Sequence, residues 1–331
     1  MKVSIALCTY NGEKFLLEQL DSFLNQTRLP DELIVCDDAS TDSTLEIIEK
    51  FSSRAPFEVR LYRNERNLGS HLNFEKAIGL CRGDIIFLSD QDDIWNPTKI
   101  EIIESKFTSS RSLGMVFTDA ELIDEASKPL NKRLWDFYFP RKKQKDARKN
   151  GILSVLLRGN VVTGATMAFR AELKKFLLPF PQNLPNLIHD GWIALCASLL
   201  ADVCFLEKPL IKYRIHEGQQ IGIGFSNSNN SNHKVAFSKA IEFLEKDIER
   251  LQILTDVLKE YPKLKEFCGK IDAALVPLVE RNRENILHLK NRMNLPDERV
   301  KRIAPIFIEF LSGRYNKFSK GVLSAAKDFF R

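Results

Sequence analysis

The sequence predicts an α/β protein with a mostly parallel central sheet flanked by helices, extended by a helical C-terminal region. Three observations carry this. Over the first 125 residues, short apolar runs rich in β-branched side chains alternate with helix-length amphipathic segments. That rhythm requires crossover connections, and so parallel strands. The polar clusters fall directly after the apolar runs, and ligands in such sheets bind beyond the carboxyl ends of the strands. Finally, the Gly/Ser/Asn-rich stretch 221–232 reads as a linker, and the chain beyond it carries helical periodicity only. The expected division is therefore a sheet domain over 1–220, a linker over 221–232 and a helical region over 233–331.

In order, Val3–Leu7 reads as the first strand, and the helical spacing of Phe15, Leu16, Leu20, Phe23 and Leu24 as the first helix. Leu33–Cys36 is a second strand; Ser40 and Thr41 are candidate caps for the helix through Leu45, Ile47 and Ile48. Val59–Tyr62 is a third strand, followed by the Asn67-Leu68-Gly69 turn and a helix through Phe74, Ala77 and Ile78. Ile85–Leu88 is the fourth. From Leu113 to His216 the pattern is mixed. Met115–Phe117, Val161–Phe169 and Val203–Ile215 read as strands, and Asp190 opens a helix through Leu199. Residues 127–150 read as a polar, basic, mobile loop. Four helices are expected after the linker: Phe237–Tyr261, Leu264–Leu289, Asp297–Leu311 and Tyr315–Phe330.

With 331 residues, 44% of them hydrophobic, the chain can bury a large core. Its formal charge of +5 is too small to suggest a nucleic-acid binder. The charge is uneven: residues 281–331 hold twelve Lys/Arg against five Asp/Glu, or +7, leaving the rest near −2. None of the six cysteines has CxxC spacing, so no zinc or redox motif is indicated. Cys8, Cys36, Cys196 and Cys204 lie in apolar runs and read as buried thiols, which suits a reducing, cytoplasmic setting. No run approaches the roughly 20 apolar residues that span a bilayer.

Asp90-Gln91-Asp92-Asp93 follows the apolar run Ile85–Leu88 and precedes Ile94-Trp95. Three adjacent carboxylates repel one another unless a cation is present. In an extended chain Asp90 and Asp92 would share one side. Two hard oxygen donors on one side suit Mg²⁺ or Mn²⁺. A solvated acidic turn is the alternative.

Thr9-Tyr10-Asn11, Asp37-Asp38-Ala39-Ser40-Thr41-Asp42, Asn67-Leu68-Gly69, Asp90-Gln91-Asp92-Asp93, His189-Asp190 and Tyr213-Arg214-Ile215-His216 stand in an order that resembles family-2 glycosyltransferases of the GT-A fold. The resemblance covers about residues 1–220 and implies a GT-A type, Rossmann-like domain. The wording Asp-Gln-Asp-Asp-Ile-Trp is similar to bacterial polysaccharide enzymes described as rhamnosyltransferase-like. What this implies is an inverting transferase moving sugar from a UDP- or TDP-sugar to an acceptor hydroxyl, with Mg²⁺ or Mn²⁺, in synthesis of cell-surface polysaccharide such as O-antigen or capsule. The acceptor would be a saccharide or a lipid-linked saccharide.

The resemblance also assigns roles. Asp38 would accept the pyrimidine N3–H, although a helix-start charge is its alternative. Thr9, Tyr10, Asn11 and Asp92 would surround base and ribose. Asp93, Asp92, Asp90 and His216 would serve the metal, without the pattern choosing among the carboxylates. Asp190 would be the general base, or a helix cap. Arg214 would clamp a phosphate, Gly164 would let backbone approach the ligand, and Trp95 or Trp192 would stack on sugar, with core packing as their alternative. A sugar-phosphate nucleotidylyltransferase is the rival enzyme, but only Gly12 stands in Thr9–Lys14, where that chemistry needs a Gly-rich loop. An inert nucleotide-sugar-binding module is the third reading. The basic C-terminal helices, with interleaved Phe and Leu, suggest docking on the anionic inner face of a membrane, or an oligomer interface.

Overall fold

The structure, a computed structural model, describes residues 1–181, 187–216 and 233–330. The expected linker at 221–232 lies outside the described residues. Two compact units are present, Met1–Gly224 and Phe225–Arg331.

The first unit opens with β1 (Val3–Thr9), α1 (Leu16–Leu24), β2 (Glu32–Asp37), α2 (Thr44–Ser52), β3 (Glu58–Arg63), α3 (Ser70–Leu80) and β4 (Ile85–Ser89). Every residue of β1, β2 and β4 is buried. Helices cover both faces of a parallel sheet, so its strands read as continuous apolar runs rather than alternating ones. β1 lies between β2 and β4 and pairs with both in parallel; β2 continues in parallel to β3. Strand order thus reverses at β1, and the gap between its end and that of β4 is the topological switch point. The amphipathic helices bury Leu16, Leu20 and Phe23 of α1, Ile48 and Phe51 of α2, and Phe74, Ala77 and Ile78 of α3. Ser40 and Thr41 do not cap α2, which starts three residues later. Asp42 Oδ1 accepts the Thr44 N–H instead, at 3.1 Å.

The second half is β5 (Ile94–Trp95), α4 (Lys99–Ser109), β6 (Leu113–Ile123), β7 (Pro129–Arg133), α5 (Arg141–Asn150), α6 (Ile152–Leu156), β8 (Met167–Arg170), α7 (Lys174–Leu177), α8 (His189–Leu200) and β9 (Asp202–Arg214). The sheet runs β3-β2-β1-β4-β8-β6-β9-β5, with β7 on β6. β8 is antiparallel to both β4 and β6, while β9 is parallel to β6. Residues 161–163 are not strand as expected; a 3₁₀ turn at Gly164–Thr166 precedes a strand of four residues.

β4 and β5 are four strand spacings apart on this path. At ~4.8 Å each that is about 19 Å in a flat sheet. The five residue steps from Ser89 to Ile94 reach at most about 17 Å fully extended, and the chain bends at Gln91 and Asp92. The sheet must therefore curl. The expected extended geometry of Asp90 and Asp92 is replaced by a turn that ties two distant strands together.

Residues 127–150 are not a loop. β7 pairs antiparallel with β6, and α5 follows. The sequence concealed this because β7 is exposed at all five positions and α5 buries only Gln144 and Ala147. What fastens the segment is aromatic: Trp135 and Phe139 pack on Phe117 and Phe205, with ring centroids 5.1–6.2 Å apart.

The second unit is all helical: α9 (His233–Glu260), α10 (Cys268–Met293), α11 (Arg299–Leu311), α12 (Arg314–Phe318) and α13 (Val322–Phe330). Leu251, Leu254, Leu258, Leu264, Ile271 and Leu275 form its apolar seam. The helix expected over Tyr315–Phe330 is broken at Ser319–Gly321, where Gly321 takes φ +55°.

Trp135→Ala should lower unfolding free energy in urea by about 3–5 kcal/mol, and should expose 127–150 to limited proteolysis. A loss under about 1 kcal/mol would mean that this segment stands outside the cooperative core.

Candidate functional site

A cavity of about 570 Å³ opens at the carboxyl edge of the sheet, at the switch point. Its walls include Thr9 and Tyr10 after β1, Asp38 after β2, Asp90, Gln91 and Asp92 after β4, Tyr213 and His216 at the end of β9, and Gly164, His189 and Asp190.

The loop after β2 is built by two carboxylates facing opposite ways. Asp37 accepts the Thr9 hydroxyl at 2.9 Å and both the N–H and hydroxyl of Ser40. Ala39 between them sits at φ +66°, a conformation that costs a non-glycine residue strain and occurs where the fold over-determines it. Asp38 Oδ1 accepts from Asn64 Nδ2 and Leu68 N, and Oδ2 from Gly69 N at 2.9 Å. A carboxylate oxygen has two acceptor directions, so Oδ2 keeps capacity on the cavity wall. The Asn67-Leu68-Gly69 turn is thus shaped by Asp38.

The acidic turn is graded in depth. Asp90 and Asp92 line the cavity, whereas Asp93 is 1% exposed and lies behind the wall. Asp93 Oδ1 accepts the Arg214 N–H at 3.1 Å, and its buried Oδ2 has no hydrogen-bond partner among the described residues. Burial, then the charges of Asp92 and Asp190, push Asp90 up to about 7. Asp93 is raised by burial and by Asp92 and Asp90. His216 Nε2 lies 2.8 Å from Asp92 Oδ2, its ring 5.0 Å from that of Phe15. Beneath the turn, the fully buried Lys99 donates to Ala165 O at 2.6 Å and stands 3.7 Å above the Trp95 ring. Burial depresses its pKa, and Asp93 and Asp90 pull it back. Nothing in the sequence marked Lys99, which reads as an ordinary surface helix residue.

These groups fit a divalent cation. Asp90, Asp92 and His216 present carboxylate oxygen and imidazole nitrogen on the wall, suitable donors, and a carboxylate raised by burial and by its neighbours, as Asp90 is, is the electrostatic condition that a cation relieves. Among the described residues no three His, Cys, Asp or Glu side chains already converge as a cage. Mg²⁺ and Mn²⁺ sites of the phosphate-binding kind are completed by substrate oxygens rather than by an all-protein cage.

Across the cavity, Asp190 is the second residue of α8 and does not act as its N-cap, which is Ile188. Its carboxylate accepts from Asn160 Nδ2 at 3.0 Å, Gly164 N at 3.3 Å and Gly191 N. Burial lifts its pKa to about 6 against these bonds. A Cβ at residue 164 would come within 3.1 Å of His189 Nε2, so glycine keeps this wall close to α8. His189 stacks on Phe74 at 4.1 Å, and burial drops its pKa to about 3, so it is neutral. Asn160 and Tyr138 also line the cavity and were not foreseen, because neither lies in a recognisable motif.

Four expected contacts are corrected. Arg214 is fully buried: Nε donates to Asp92 O, Nη1 to Asp124 O, Glu125 O and Ser127 Oγ, and Nη2 to Glu18, with the guanidinium over Phe15. It braces the acidic turn and clamps no phosphate. Trp95 is core, packed on Phe23 and Phe87. Trp192 is core too, donating to Leu177 O. Asn11, at φ +47°, is off the cavity wall and binds Thr41 N through Oδ1, joining the first two loops.

A curled α/β sheet with an acidic turn after β4, and a second carboxylate across a switch-point cavity, is the GT-A architecture. The model of glycosyl transferase family 2 matches residues 4–170, half of the chain. The chain belongs to that family. A dTDP-rhamnosyl transferase of Shigella flexneri is 26% identical over 231 residues, covering 66% of this chain and 75% of the other. Two further curated relatives are spanned for less than two thirds of their length, 65% and 29%. Among solved structures, Staphylococcus aureus TarS 1–349 in complex with UDP-GlcNAc shares the fold at TM-score 0.55 and 19% identity, over 96% of this chain and 93% of that one. A mannosyltransferase from Pyrobaculum calidifontis in complex with GDP-Man and Mn²⁺ does so at 0.52 and 17%, over 98% and 77%.

Arg214→Ala should cost at least about 3 kcal/mol of stability, because it empties a fully buried site and leaves the carbonyls of Asp92, Asp124 and Glu125 without this donor. Urea unfolding measures it. An unchanged midpoint with a selectively raised donor KM would restore the phosphate clamp.

Proposed function

We propose that this chain is an inverting, metal-dependent glycosyltransferase that uses a UDP- or TDP-sugar and serves synthesis of bacterial cell-surface polysaccharide, O-antigen or capsule, at the cytoplasmic side of the membrane. The observation that carries the reading is Asp190: a buried carboxylate raised to about 6, mounted at a helix start, on the same cavity as Asp38 and Asp92. The catalytic unit would be 1–220, joined through 221–232 to an appended helical region, 233–331.

Asp38 accepts the pyrimidine N3–H through Oδ2. Thr9, Tyr10 and Gln91 border the nucleoside, and Asp92 the ribose. Asp92 would hold a divalent cation, Mg²⁺ or Mn²⁺, with His216 and Asp90 beside it on the wall and phosphate oxygens completing the shell; when bound the ion would supply Lewis-acid stabilisation of the departing diphosphate, a choice supported by the Mn²⁺ of the Pyrobaculum mannosyltransferase complex. Asp93 backs the wall rather than facing the ligand. Asp190 takes the proton of an acceptor hydroxyl, of a saccharide or lipid-linked saccharide, as that oxygen forms its bond to the anomeric carbon. The bond to the diphosphate oxygen breaks on the opposite face, which inverts the centre. Asn160, bonded to Asp190 and to Val162 O, holds the carboxylate in place.

Asp190→Asn keeps size and the Oδ1 contacts with Asn160 and Gly191, gives up the long acceptor contact with Gly164 N, and cannot accept a proton. It should lower kcat by roughly 10²-fold or more while donor affinity and melting temperature stay put. Retained turnover would remove Asp190 from the chemistry, and a product with retained anomeric configuration would remove single displacement.

The base must be ionised to work, and its raised pKa places the loss of activity on the acid side. kcat/KM should be flat above neutral pH and fall below about pH 6. Asn160→Ala deletes a bond that favours the ionised form, so its acid limb should move to higher pH. A limb that stays in place, or moves to lower pH, contradicts the assignment.

A further inference from the structure

Two of the last three helices, α11 and α13, are inside out. On α11, Arg302 and Glu309 are the buried residues, and on α13 it is Asp328. Their partners make a polar interior. Glu309 accepts from Arg314 Nε at 2.7 Å and Asn291 Nδ2 at 2.8 Å, and lies 2.6 Å from His288 Nδ1. Asp328 accepts from Arg292 and from the Tyr315 hydroxyl at 2.8 Å, and its backbone carbonyl accepts from Arg302. The apolar residues face outward. Val300, Phe307, Ile308 and Leu311 of α11, with Leu323 and Phe330 of α13, are 59–77% exposed. At 100° per residue the four α11 positions fall within one ~100° arc, opposite Arg302 and Glu309. A soluble helix normally turns this arc to the core, so its outward display marks an interaction surface.

Charge selects the occupant. Between Arg299 and Phe330 the sequence holds seven Lys/Arg and two acids, Glu309 and Asp328, and both acids are spent in the interior. The rim therefore presents Arg299, Lys301, Lys317, Lys320 and Lys327, all exposed, of which Lys301 and Lys317 pair with Glu298 and Glu284 and the other three carry the excess positive charge. Two copies meeting face to face would bring like charges together. No helix among the described residues is long and apolar enough to cross a bilayer. An apolar face of two short helices rimmed by cations has the composition of an interfacial anchor.

We propose that α11 and α13 dock this chain on an anionic lipid bilayer, the apolar arc entering the headgroup region and the basic rim meeting acidic lipid. The docking is independent of the donor cavity, and vesicle binding is read without any nucleotide sugar.

The test is co-sedimentation of the full chain with phosphatidylcholine–phosphatidylglycerol vesicles and with phosphatidylcholine alone, at low salt. Binding is expected to the anionic vesicles and to be at least about tenfold weaker to the neutral ones. Phe307→Ser with Leu311→Ser should abolish it without lowering the melting temperature, since both residues are exposed. Lys320→Glu and Lys327→Glu should each weaken it about fivefold or more. A full chain left in the supernatant with anionic vesicles overturns the proposal, and a dimer in light scattering dissolved by the same serine substitutions would then give the face to a second copy. Binding unaffected by the serine pair overturns it too.

Discussion

The link between β4 and β5 is too short for a flat sheet. Four residues, Asp90 to Asp93, join strands that stand four places apart in the hydrogen-bonded order. The sheet curls to satisfy them, and the curl brings the end of β9 against the acidic turn. Arg214 then closes the junction, with its backbone N–H on Asp93, its Nε on the Asp92 carbonyl and its other nitrogens on 124–127 and Glu18. The cavity exists because of this closure: one wall is the acidic turn with His216 beside Asp92, and the opposite wall is α8 with Asp190.

Electrostatics follows from the same geometry. Crowding and burial hold Asp90 and Asp93 above the usual carboxylate range, and Lys99 is too deeply buried to neutralise them cheaply. Without a cation the turn lowers that repulsion by holding protons, because the sheet's closure keeps the carboxylates together. A cation arriving with a diphosphate would remove that repulsion, so the fold and the proposed chemistry ask for the same partner. On the far wall burial alone raises Asp190, and three donated hydrogen bonds limit the rise.

The first four strands and three helices were legible because parallel strands covered on both faces are uninterrupted apolar runs, and because each functional loop begins where such a run stops. The second half was harder to read. β7 is exposed along its length and α5 is almost entirely charged, so neither carries a hydrophobic period; two aromatic residues, Trp135 and Phe139, hold the segment. In the site, Asp38, Asp90, Asp92, Asp190 and His216 were found on the wall, as were Thr9, Tyr10 and Gly164, whereas Asp93 lies behind it. Three others are also off the wall. Arg214 alternates inward along β9, Trp95 belongs to a two-residue strand packed on Phe23, and Asn11 is committed to the neighbouring loop. Period-two alternation decides such cases only when the register is known.

The central claim is that the switch-point cavity is a nucleoside-diphosphate site whose acidic wall requires a divalent cation. Calorimetric titration of UDP and TDP into the full chain, with Mn²⁺ and again with chelator, tests it most directly. One of the two should bind in Mn²⁺ and lose at least about tenfold in affinity when the ion is withdrawn, as expected of a cation coordinated jointly by protein and phosphate. Equal affinity in chelator, or no binding of either nucleotide with metal present, would contradict the account.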